Sequence, residues 1–136
     1  MSWRESRLLG AVEDFWVKDS RNSYLSMPKG SKYFNAGVLL INLKKWREEH
    51  IKNKVIEFIK TNSARIKFCS QDPLNAILHD KWLQLDPKWN FMPHLTYPGL
   101  KNIKPAIIHY AGLKKPWKAN CRLKEEYYKY RKNVFI

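Results

Sequence analysis

The sequence predicts an α/β chain, and three features predict it. Short apolar, β-branched runs alternate with segments whose apolar residues recur at helical spacing. Hydrophobic residues make up 44% and charged residues 28% of the 136 positions, the balance of a folded domain rather than a disordered one. A chain of this length suits one domain that can bury roughly 70% of its unfolded surface.

The elements follow in order. Leu8–Val12 is a short apolar run and predicts a strand. Glu13 to Lys32 is mixed; Asp19-Ser20-Arg21-Asn22-Ser23 and Pro28-Lys29-Gly30-Ser31 read as loop with room for one helical turn. Tyr33 to Leu43, YFNAGVLLINL, is rich in β-branched and aromatic residues. Its centre, Gly37 to Ile41, lacks polar alternation, which predicts a strand covered on both faces in a parallel or mixed sheet. Asn42 suits a cap for a helix over Lys44–Thr61, where Ile51, Val55, Phe58 and Ile59 form one apolar stripe. Asp72-Pro73 opens a second helix, with Leu74, Ile77 and Leu78 on its inner face. Trp82–Leu85 reads as a short strand, and 86–104 as a proline-rich loop. Ala106 to Ala111 predicts the last strand, and Arg122 to Asn133 a terminal helix with Leu123, Tyr127 and Tyr130 on one side. Three firm strands are fewer than a doubly wound sheet usually has.

Composition narrows the function. No apolar run reaches the roughly 18 residues of a membrane span. The start, MSWRESRLLGAV, lacks an apolar core with a small-residue cleavage site, so no signal peptide is expected. Cys69 and Cys121 have no zinc-type spacing and read as idle thiols. The net charge is +14, and residues 101–136 hold ten basic residues against two acids. A cationic, aromatic end suits a polyanionic partner: phosphate groups, a membrane surface or nucleic acid.

Few residues carry chemistry. In IIHYAGLKKPW (107–117), His109 ends an apolar run where α/β sheets gather ligands, and its imidazole can bind a divalent metal. Alone, such a histidine reads first as a half-buried residue with a satisfied hydrogen bond. Gly112 lets backbone N–H groups approach a phosphate, and Lys115 offers a charge for it. Both Lys114 and Lys115 also suit a solvated loop. Asn35 is an amide in an apolar run; it could meet sugar hydroxyls or only neighbouring backbone. Ser70-Gln71-Asp72 precedes a helix, where Asp72 could be no more than a cap and Gln71 offers both donor and acceptor. No Gly-rich phosphate loop, HExxH, GxSxG or Asp-x-Asp occurs.

The strings YFNAGVLLINLKKWR (33–47), QDPLNAIL (71–78), KWNFMP (88–93) and IIHYAGLKKPW (107–117), in this order, resemble the carboxyl half of a family 8 glycosyltransferase. The likeness is to the lipooligosaccharide galactosyltransferase and general-stress type, and spans about Leu9 to Trp117. It implies the carboxyl-terminal part of a GT-A fold, a mixed sheet with flanking helices, without the amino-terminal nucleotide-binding half. It implies retaining hexosyl transfer from UDP-galactose or UDP-glucose to a saccharide such as lipopolysaccharide, with Mn²⁺ or Mg²⁺. His109 would be a metal ligand; Gly112 and Lys115 would contact the diphosphate. Asn35, Ala36 and Gly37 would line the donor-sugar pocket. Gln71 would lie on the sugar face opposite the leaving group, stabilising charge or orienting the acceptor, with Asp72 beside it. Ser70 stands where the family usually has an aspartate, which puts sugar preference in question. The family's Asp-x-Asp would lie just before the segment resembling Leu8–Val12, so the metal ligand set here is incomplete and the chain alone is expected to be inactive or nearly so. A partial transferase domain is expected over 1–118 and a basic aromatic tail over 119–136, suited to peripheral contact at the inner face of a membrane from the cytoplasm. Two other readings fit the residues: an inactive remnant, and a basic module for nucleic acid, which has no recognised motif to support it.

Overall fold

Strand β1 (Leu9–Glu13) is the middle of a three-stranded sheet in the computed structural model, which describes residues 7–118 and 120–134. On one side it runs antiparallel to β2 (Phe34–Ile41), with Leu9 opposite Ile41, and on the other parallel to β3 (Trp82–Gln84), with Leu9 opposite Trp82. The sheet is therefore mixed, as expected. Between them lie α1 (Asp19–Tyr24), α2 (Leu43–Glu48), α3 (Ile51–Thr61) and α4 (Gln71–Leu78), with a 3₁₀ turn at Ser63–Arg65. Residues to Asp86 form one compact unit and those from Pro87 a second.

The first unit has its core on β1. Leu9 and Ala11 are fully buried and pack with Phe34, Ile51, Leu78 and Trp82. The rings of Phe34 and Trp82 lie 5.2 Å apart at 59°, a tilted geometry favoured by aromatic pairs. The Asn42 side chain caps α2 by accepting from the Lys45 backbone N–H at 3.2 Å.

Three sequence expectations need correction. The helix over Lys44–Thr61 is two helices, because His50 adopts a left-handed conformation at φ 52 that no helix interior accommodates. The run in β2 is not covered on both faces: Gly37 is exposed and Leu40 is half exposed. The strand expected over Ala106–Ala111 is a single parallel bridge, Phe91 to Ile108. It is made of two hydrogen bonds, Phe91 N–H to the Ile107 carbonyl and His109 N–H to the Phe91 carbonyl. The next rung would need an N–H from residue 93, which is proline and has none.

The second unit packs Phe91 against Tyr97, rings stacked at 5.2 Å. Its helix, α5 (Lys124–Arg131), places Tyr127 against Tyr110 and Trp117. Among the described residues no helix is long and apolar enough to cross a membrane. Both cysteines are free; Cys69 is exposed and Cys121 half-buried.

Candidate active site

At the carboxyl end of β1 the chain turns at Asp14, which is 9% exposed. One carboxylate oxygen accepts from the side-chain amides of Asn35 and Gln71, each at 3.1 Å; the other accepts the Trp16 N–H at 3.2 Å. The amide oxygens are engaged too. The oxygen of Gln71 takes the Ala36 N–H at 2.9 Å, and that of Asn35 takes the Gly37 N–H at 2.9 Å. Thus Asn35, Ala36, Gly37 and Gln71, all expected in the site, are joined in one network. Asp14 joins them, and the sequence analysis missed it. Because a carboxylate only accepts, it fixes which end of each amide faces it. The Gln71 carbonyl keeps a lone pair, and Gln71 is only partly buried, so it has a polar face left to offer.

Helix α4 carries Gln71 and is held by the two residues that follow it on its inner side. Asn75 is fully buried and clasps the Phe34 backbone, accepting its N–H and donating to its carbonyl, both at 2.8 Å. Asp72 is also fully buried. It ion-pairs with Arg21 and accepts from the Tyr33 hydroxyl at 2.8 Å and from the backbone N–H groups of Lys67 and Phe68 at 2.7 and 2.9 Å. Burial works against its charge, but Arg21 and the three other donors outweigh burial and hold the carboxyl below its usual range. Burial first, and then the Asp72 hydrogen bond, push the Tyr33 hydroxyl far above the usual tyrosine value. Both Asp72 oxygens are thus engaged within the first unit, and the N-cap position of α4 falls to Ser70. Ser70 stands at the N-cap position of α4, exposed, with no capping bond from its side chain.

In the second unit His109 is half-buried, and its Nδ1 lies 2.9 Å from Oδ1 of Asn90, which is fully buried. The amide oxygen can only accept, so Nδ1 carries the hydrogen and Nε2 has the lone pair a metal would use. Asn90 lies in the KWNFMP stretch at 88–93. Gly112 is needed for close approach: a Cβ there would sit 2.9 Å from the His94 ring. The Lys115 ammonium donates to the Tyr110 carbonyl, beside His109. No group of three His, Cys, Asp or Glu side chains that could hold a metal occurs among the described residues. One imidazole does not satisfy Mn²⁺ or Mg²⁺, which take several oxygen ligands, so these residues alone do not fit the ion.

This geometry sits in a chain with clear relatives. The model of glycosyl transferase family 8 matches residues 3–121. General stress protein A of Bacillus subtilis (strain 168) is 34% identical over 139 residues, covering 90% of this chain and 48% of that protein. A putative glycosyltransferase of Haemophilus influenzae is 37% identical over 121 residues, covering 83% of this chain and 37% of its own. The crystal structure of the galactosyltransferase LgtC with donor and acceptor sugar analogs superposes with a TM-score of 0.84 at 27% identity, over 99% of this chain and 55% of that one. The glycosyltransferase GlyE of Streptococcus pneumoniae TIGR4 superposes with a TM-score of 0.66 at 27% identity, over 92% of this chain and 33% of its own. The chain thus spans about half, or less, of the relatives it matches. It carries part of a GT-A type fold and belongs to glycosyl transferase family 8.

Proposed function

We propose that this chain handles the sugar in retaining hexosyl transfer from UDP-galactose or UDP-glucose to a saccharide acceptor such as lipopolysaccharide. The observation that carries this reading is the Gln71 amide, clamped at both ends by Asp14 and the Ala36 N–H beside Asn35 and Gly37. Such a pre-set polar group at the carboxyl end of a strand is what a hydroxylated ligand needs. In the reaction the bond between anomeric carbon and diphosphate breaks. The acceptor oxygen bonds to that carbon on the same face, and its proton leaves with UDP. Gln71 would offer its carbonyl to the positive charge that develops at the carbon. Gly112 and Lys115 would meet the diphosphate, and His109 would give one ligand to a divalent cation whose other ligands these residues do not supply. Ser70, uncharged, would meet a sugar hydroxyl.

Saturation-transfer NMR with UDP-galactose and UDP-glucose tests this. The hexose protons are expected to receive more saturation than the uridine protons, and Gln71→Ala to abolish the hexose signal. Diamagnetic Mg²⁺ is expected to leave the signal unchanged. A signal carried by uridine alone would overturn the sugar-handling role, and tight Mg²⁺-dependent binding would show the ligand set to be sufficient.

The second unit supports a peripheral membrane contact. Leu113 is fully exposed, and Trp117, Tyr128, Tyr130 and Val134 are substantially exposed. Lys114, Lys118, Lys129, Arg131 and Lys132 are exposed among them in sequence. Cations meet anionic head groups while aromatic rings sit at the interface, and such a surface would suit the inner leaflet, reached from the cytoplasm. Co-sedimentation with phosphatidylserine vesicles is expected, and to fall by about tenfold or more between 0.05 and 0.5 M salt. Absence of binding at low salt would remove this partner.

A further inference from the structure

Beside the amide network, wholly within the first unit, a cleft of about 660 Å³ opens between α1 and the segment before α4. Trp16, Lys18, Arg21, Tyr24, Lys67 and Phe68 line it, and no acidic residue does. Trp16 is 67% and Tyr24 52% exposed, a large aromatic surface open to solvent. The three cations are not equivalent. The Arg21 charge is offset by Asp72, and its guanidinium lies 5.3 Å from the Tyr24 ring centroid. Lys18 and Lys67 form no ion pair among the described residues; the Lys67 ammonium lies 5.5 Å from the Phe68 ring centroid. The walls are fixed to the network itself: the Trp16 N–H donates to Asp14, and the Phe68 carbonyl accepts the Gln71 N–H at 2.8 Å.

We propose that this cleft is an acceptor subsite for a saccharide bearing a phosphate or carboxylate group. Its volume suits a ligand of one or two sugar rings rather than a polymer. An exposed indole offers a face to the C–H side of a pyranose, and Lys18 and Lys67 meet the anion. Its position next to Gln71 would bring a hydroxyl of that saccharide toward the donor sugar. The proposal rests on the sugar-handling role of the Asp14–Asn35–Gln71 network and adds the charge of the acceptor.

The test titrates the 136-residue chain with glucose 6-phosphate, galacturonate, galactose, inorganic phosphate and UDP, following the Trp16 indole resonance, assigned with Trp16→Phe. Glucose 6-phosphate and galacturonate are expected to bind about tenfold more tightly than galactose, the sum of two exposed charge contacts. Lys18→Gln/Lys67→Gln is expected to erase that preference and leave galactose binding unchanged. Trp16→Ala, at an exposed site, should weaken all three sugars without lowering the melting temperature. If only glucose 6-phosphate shows the preference the anion is a phosphate, and if only galacturonate does it is a carboxylate; either supports the subsite. Equal binding of charged and neutral sugars, inorganic phosphate matching glucose 6-phosphate, or UDP shifting the same resonance at lower concentration would each overturn it. The donor experiment reads Gln71 and is independent. Loss of the hexose signal with the charge preference intact would sink the transfer role alone, and the reverse would sink the subsite alone.

Discussion

Replacing Asp72 by alanine should destabilise the first unit by about 3–5 kcal/mol, the cost of leaving a buried charge without its partner. The stranded group is Arg21, whose side chain is 12% exposed. Tyr33 and the N–H groups of Lys67 and Phe68 lose their acceptor at the same time. Denaturant unfolding followed by tryptophan fluorescence measures the loss; a change below about 1 kcal/mol would mean that the ion pair contributes no more than an exposed one. Acid supplies a second readout. The folded carboxyl titrates below its unfolded value, so its contribution is whole above an ordinary aspartate pKa of about 3.9 and is lost as pH falls through the lower folded one. Asp72→Asn should lack that acid-sensitive portion.

Asn75→Ala should cost about 2–4 kcal/mol, because it orphans both the N–H and the carbonyl of Phe34, a residue with no exposed surface. The effect should reach the site. Asn75 is the clasp that keeps β2 beside α4, and so keeps the Ala36 N–H on Gln71. Amide exchange at Phe34 and Ala36 should accelerate together; protection retained at Ala36 would show that the two bonds are independent.

These two residues mark where reading the sequence stopped. The apolar side of α4 was legible, since Leu74, Ile77 and Leu78 recur at helical spacing and all face inward to some degree. Asp72 and Asn75 are polar letters, and periodicity assigns polar letters to solvent. Their partners, Arg21 and Phe34, lie 51 and 41 residues away, and nothing local announces them. The apolar density of β2 left a parallel and a mixed sheet both open, and the family resemblance pointed to the mixed one. The exposed outer positions of β2 were not legible, because burial on the second face depends on what else packs there. His109 was found through its neighbours in sequence, whereas Asn90, which sets its tautomer, lies 19 residues earlier. Asp14 was passed over as one more acid in a mixed stretch, although an acid directly after a buried strand is a signal that could have been used.

Pro93 leaves the segment around His109 held by one rung of ladder. A histidine seated in a full sheet could swing only if several strands unzipped with it. Here the ties are local: the two bonds to Phe91, the Ala106 and Ile107 N–H groups on the Lys88 carbonyl, and the Asn90 contact, so the segment opens by a local event smaller than global unfolding. The imidazole is aimed by one buried amide, so its orientation answers to a local clasp and not to the ladder of a sheet.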